Sequence, residues 1–210
     1  MKHWFGFLAA FLLATIGMGG AIAQDKGPDA LVRDVTNEVL EIVRSDKDIR
    51  NGNTKKTLEL VETKVLPHFN FQRMTQLALG KEARKATPEQ MTALVSEFRD
   101  LLVRTYSSAL TQYRNQQVIF KPFKPDASRP DDATVVCEIK QSGGAPIGLE
   151  YDLEKTASGW KVYDMRVAGA SLVITYRGSF AQAIQADGID GLIRTLQAKN
   201  KKAADSASKK

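Results

Sequence analysis

Hydrophobic residues along this chain fall first at helical spacing, then at strand spacing, then at helical spacing again. From Asp29 to Arg44, Leu31, Val35, Val39 and Ile42 mark one helical face. Asn51-Gly-Asn53 breaks the pattern, and Thr54 is placed to cap a second helix with Leu58, Val61 and Val65 inward, ended by Pro67. A short helix is predicted over Phe69 to Leu79, with Gly80 as its stop. Thr87-Pro-Glu-Gln90 combines a capping residue, a proline at the first helical position and a glutamine able to close a capping box. The helix it starts is predicted to run to about Tyr113, with a wide stripe through Leu94, Phe98, Leu101, Leu102, Tyr106 and Leu110, long enough to lie across a sheet.

The period then drops to two. Val118 to Phe123, Thr134 to Gln141, Leu149 to Leu153 and Trp160 to Val167 read as four strands joined by turn-length links, which predicts an antiparallel meander. Alternation leaves open whether Val162 or Tyr163 faces inward, because one slip of register exchanges the two faces. After Ala168-Gly169 the helical period returns: Leu172, Val173, Tyr176, Phe180 and Ile184 share a stripe in a helix expected from Ala170 to Ala198. Helices, then strands, then helices predict an α+β fold in one domain over residues 24–198, with a four-stranded antiparallel sheet packed by N-terminal and C-terminal helices.

The ends of the chain read differently. Lys2, the apolar run Phe5 to Ile16 and the small-x-small site Ala21-Ile-Ala23 predict a cleaved secretory signal over residues 1–23 and export, most simply to a bacterial periplasm. Part of the formal charge of +6 sits in Lys199 to Lys210, expected to be a disordered basic tail. Export and the lack of a basic, aromatic-interleaved motif argue against nucleic acid as a partner. The one cysteine, Cys137, lies in a strand pattern and suits an apolar packing role.

The polar inventory gives little chemistry. His68, beside Pro67, is the single histidine beyond the signal. No cluster has metal-ligand spacing, and Ser171 does not sit in a Gly-x-Ser-x-Gly elbow. Glu150 and Asp152 alternate with apolar residues, and Asp131-Asp132 lies in a proline-containing loop, so solvated carboxylates are expected at both places. Asp164 and Arg177, on the last strand and the following helix, suit either an ion pair locking helix to sheet or, through Arg177, a contact to a lipid phosphate. A pocket enzyme using Asp164 and Tyr163 is the catalytic alternative, and a non-catalytic adaptor with an exposed apolar face is the structural one.

Two stretches carry a family resemblance. GWKVYDMRVAGASLVITYRGSF, from Gly159 to Phe180, and the segment Phe69 to Gly80 resemble the MlaC family of toluene-tolerance auxiliary proteins, with Asn70, Thr75 and Arg84 departing from the usual residues. The resemblance covers most of the chain after the signal. It implies a soluble, monomeric periplasmic carrier of phospholipid that needs no cofactor beyond its cargo. It also implies two partners, an outer-membrane lipoprotein complex and an inner-membrane ABC transporter with an MCE-type subunit. By composition alone the apolar stripes are core. The resemblance implies that they wall an apolar pocket instead: Val65, Phe69, Phe71, Met74, Leu77, Phe98, Leu102, Tyr106, Leu110, Val135, Leu149, Tyr151, Leu153, Val162, Leu172, Tyr176 and Phe180.

Overall fold

The computed structural model describes residues 26–141 and 143–207; the segment expected to be a secretory signal lies outside them. Helix α1 spans Pro28–Ser45, with its proline in the first turn and Val32, Val39 and Val43 buried. Asp46 caps a short helix, α2 (Lys47–Arg50), by accepting from the amides of Asp48 and Ile49. Helix α3 (Thr54–Leu60) is capped by Asn53 rather than Thr54, since the Asn53 side chain accepts from the Lys56 amide. The chain then widens into a π turn (Val61–Val65) and tightens into a 3₁₀ turn (Leu66–His68) around Pro67.

Helix α4 (Phe71–Leu79) begins on Asn70, whose side chain accepts from the Arg73 amide and donates to Glu154 at 2.6 Å. It stops at Gly80, where φ is +57°, a backbone setting that side chains disfavour. A 3₁₀ stretch (Gly80–Lys85) leads to α5 (Pro88–Tyr106), which starts with the full Thr87–Gln90 capping box. The expected run to Tyr113 is divided: α5 ends at Tyr106 and a separate turn of helix, α6 (Ser108–Thr111), follows.

The sheet has five strands, not four, in the order β1-β2-β3-β4-β5, all antiparallel: β1 (Gln117–Phe120), β2 (Asp132–Lys140), β3 (Ile147–Thr156), β4 (Gly159–Val167) and β5 (Ala170–Ser171). The extra strand is two residues long, too short to show a period. A bulge at Asp152/Leu153 pairs Asp152 with Asp164 and Leu153 with Val162, so Tyr163 is the unpaired extra residue and Val162 takes the inner position.

Helix α7 (Leu172–Ala207) bends at Asp187 and Gly188, the latter at φ +69°. The bend lets Phe180 and Ile184 before it, and Ile189, Leu192 and Leu196 after it, all join one core with α4 and α5. The helix continues to Ala207, through most of the stretch expected to be disordered. Alanine and lysine are strong helix formers, Asn200 donates to the Glu97 carbonyl and carboxylate on α5, and Lys201 pairs with Asp205 one turn on. No described helix is long and apolar enough to cross a membrane.

Candidate functional site

The sheet register fixes which residues share its inner face. Ala133, Val135, Cys137 and Ile139 of β2 stand beside Leu153, Tyr151, Leu149 and Ile147 of β3, and these beside Val162, Met165 and Val167 of β4. Phe120 and Val118 of β1 extend the row past Cys137 and Ile139. One end of this face is closed: Val32 of α1 packs with Val135, Leu153 and Val162, all buried, and Phe69 leans on them. Towards Ile139, Ile147, Leu149, Met165 and Val167 the same apolar face is only half-buried.

The interior is not one continuous core. Met74, Leu94, Phe98, Leu102, Val173, Phe180 and Leu192 form a cluster within α4, α5 and α7 that contains no sheet residue. Val39, Val43, Ile49, Leu60 and Tyr113 form a second cluster, among α1 to α3 and the turn after α6. The sheet-and-α1 cluster is the third. Single domains usually have one contiguous core with small satellites. Here half-buried apolar side chains stand at the cluster edges: Leu77 and Tyr176 on the first, Val65 and Leu110 on the second, Tyr151 on the third. Phe69 edges both the first and the third, and its ring stacks on Phe71 at 5.8 Å. The long helix α5 packs on α7 and α4 rather than lying across the sheet.

Of the pocket residues expected from the resemblance, Met74, Phe98, Leu102, Val135, Leu153, Val162 and Phe180 are buried in these clusters. Val65, Phe69, Phe71, Leu77, Leu110, Leu149, Tyr151, Leu172 and Tyr176 are half-buried, and Tyr106 is 37% exposed. The half-buried set is the one with apolar surface to offer a ligand. Burial pushes the Tyr151 phenol upward, although its hydroxyl bonds to Thr36 of α1. The Tyr176 hydroxyl is pushed up to about 12, chiefly by burial and then by Tyr106 beside it. Its ring and that of Phe180 meet Phe98 edge-on, each at 5.1 Å.

Asp164 and Arg177 do not pair. Asp164 is buried and points to the outer side, accepting from the Ser171 hydroxyl at 2.5 Å and from the Met165 and Val173 amides. It thereby locks the β5 turn and the first turn of α7 to β4. Arg177 donates from Nε and Nη2 to the Leu77 carbonyl, at 3.2 and 2.7 Å, tying α7 to the end of α4. Asp164 is occupied by nearer donors, and the guanidinium is taken instead by a carbonyl in α4's last turn, where helix carbonyls lack intrahelical partners.

The outer face of the sheet is polar. Asp152 is buried there, accepts from Thr134 at 2.8 Å and holds Arg166, which also reaches Glu150. Asp152 is thus ion-paired rather than freely solvated. A cleft of about 450 Å³ runs beside it, lined by Lys124, Asp126, Arg129, Asp132, Tyr163 and Arg166. His68 is half-buried, and burial and Lys161 hold its imidazole below the ordinary range. Burial raises the Cys137 thiol to about 11, so it stays protonated and inert. Among the described residues, no group of three His, Cys, Asp or Glu is placed to hold a metal ion.

Comparison with known proteins adds to this geometry. The family model described as MlaC protein matches residues 33–198. The toluene tolerance protein ttg2D of Pseudomonas putida is 30% identical over 210 residues, covering 97% of this chain and 93% of that protein. The intermembrane phospholipid transport system binding protein MlaC of Haemophilus influenzae is 27% identical over 199 residues, covering 94% of this chain and 92% of that protein. Among solved structures, a phospholipid-binding protein from Ralstonia solanacearum in complex with a phospholipid superposes with a TM-score of 0.78. It is 38% identical, over 85% of this chain and 99% of its own.

Proposed function

The chain belongs to the MlaC family, and from that premise we propose that it is a periplasmic phospholipid carrier that moves diacyl lipid between the two membranes. The observation that carries the reading is the likeness to a structure holding a phospholipid, at 38% identity over nearly the whole fold. The divided core supports it, because the half-buried apolar side chains at the cluster edges are where hydrocarbon chains can enter.

The physics of the task sets what the protein must supply. Each methylene hidden from water is worth about 0.8 kcal/mol, so two acyl tails in transit carry a penalty on the order of 20 kcal/mol. Covering one tail leaves roughly half of that. Both tails therefore belong between the sheet and the helices, against Leu149 and Tyr151 on one side and Phe69, Leu77 and Tyr176 on the other. The headgroup stays near solvent and needs few directional contacts.

By family, the donor and acceptor are an outer-membrane lipoprotein complex and an inner-membrane ABC transporter with an MCE-type subunit. The carrier works as a non-catalytic monomer after removal of a signal over residues 1–23, helping to maintain outer-membrane lipid asymmetry.

The test is native mass spectrometry of protein purified from the periplasm, followed by organic extraction. Recovery of about one diacyl phospholipid per chain is expected. A lipid-free protein that captures none from vesicles would instead mark an adaptor.

A further inference from the structure

Three arginines stand at or just past the ends of helices. Arg44 stands in the last turn of α1, Arg50 in the last turn of α2, and Arg114 just after α6. They line a cleft of about 370 Å³ together with Tyr113, Asn115 and Gln116, and no carboxylate lines it. Among the described residues none of the three is in an ion pair.

Backbone carbonyls and a phenol hold two of the three forks in place. Arg44 donates from Nη2 to the Tyr113 hydroxyl and lies over that ring, at 5.4 Å from its centre. The Tyr113 hydroxyl donates in turn to the Gln116 carbonyl at 2.7 Å. Arg114 donates from Nη1 to the Thr111 and Tyr113 carbonyls, at 2.6 and 2.7 Å, and from Nη2 to the Arg50 carbonyl at 3.5 Å. The Arg50 side chain makes no hydrogen bond among the described residues. Capping of helix C-termini accounts for the carbonyl contacts. It does not account for three arginines, none with an acidic partner, lining one concavity, where like charges repel. A tetrahedral oxyanion removes that repulsion and fits the planar forks that Arg presents.

We propose that the Arg44–Arg50–Arg114 cleft is a binding site for a phosphate group. The proposal does not depend on the carrier reading, although the headgroup of a bound lipid would offer the same chemistry as free phosphate.

The test titrates the full-length protein with inorganic phosphate against chloride at constant ionic strength, reading arginine side-chain NMR signals and the melting temperature. Saturable binding is expected, with shifts at the three guanidinium groups. Arg50→Gln should weaken it about tenfold, as loss of one charge-assisted contact does, while leaving the phosphate-free melting temperature unchanged. Arg114→Gln should weaken it similarly and also lower the melting temperature.

Running the titration before and after lipid extraction separates the sources. Binding that appears only after extraction assigns the cleft to a headgroup; binding in both samples assigns it to a free phosphate ester. A response no larger than that to chloride, or an Arg50→Gln variant with unchanged affinity, overturns the site. Lipid recovery from the same samples scores the carrier reading separately.

Discussion

Arg177 and Gly80 meet across two elements, and each explains the other. The end of α4 turns through a positive φ at Gly80, and the Leu77 carbonyl in that last turn accepts the Arg177 fork. A Cβ on residue 80 would sit 3.5 Å from the Arg177 Nε, an ordinary contact, so the cost of Gly80→Ala is the backbone setting. That cost is about 1–3 kcal/mol, measurable as a lowered urea midpoint. Arg177→Lys keeps the charge but cannot give two parallel N–H groups to one carbonyl. It should lose about 1 kcal/mol of stability and keep its lipid content. Unchanged stability with reduced lipid would return Arg177 to the headgroup.

At the scale of elements, the α4–α5–α7 layer rests on an aromatic contact with a pH signature. The Tyr176 phenol, with an ordinary pKa of 10.0, is pushed up to about 12 in the fold. The raised value means the neutral phenol is favoured when folded. Its contribution is complete below pH 10 and is lost as the pH climbs from there towards 12. Urea unfolding at about pH 9 and about pH 11 should show the wild type losing stability between them. Tyr176→Phe should lose less. A slope remains in the variant, because the Tyr151 phenol is raised by burial too.

For the molecule as a whole, the decisive contrast lies between two neighbours on the inner sheet face. Leu153 is 0% exposed and packed between α1 and β4. Leu153→Glu places an unpaired carboxylate there, a loss of several kcal/mol, and should give little folded protein. Leu149, on the same face nearer the half-buried end, is partly accessible. Leu149→Glu should fold, with a cooperative melt, and come out of the cell without stoichiometric phospholipid. Normal lipid recovery from folded Leu149→Glu would move the hydrocarbon away from this end of the sheet.

The amino-acid pattern alone determined the kind and order of the elements: the capping box at Thr87, the stop at Gly80, the meander, and the two segments that mark the MlaC family. Periodicity could not show how deeply a residue on a stripe is covered. Phe98 and Tyr106 share a predicted face, yet one is sealed and the other stands at the surface: Phe98 is enclosed by the Tyr176 and Phe180 rings of α7, whereas Tyr106, at the last turn of α5, meets α7 only beside Tyr176. Nor could local pattern assign polar partners. Asp164 found a hydroxyl and two amides near in sequence, while Arg177 found a carbonyl 100 residues away. The two-residue β5, the bulge that turned Val162 inward and the Arg44–Arg50–Arg114 cleft are likewise settled by what lies across the fold. A residue's own neighbours set its direction from the backbone; only packing of distant segments sets what it meets there.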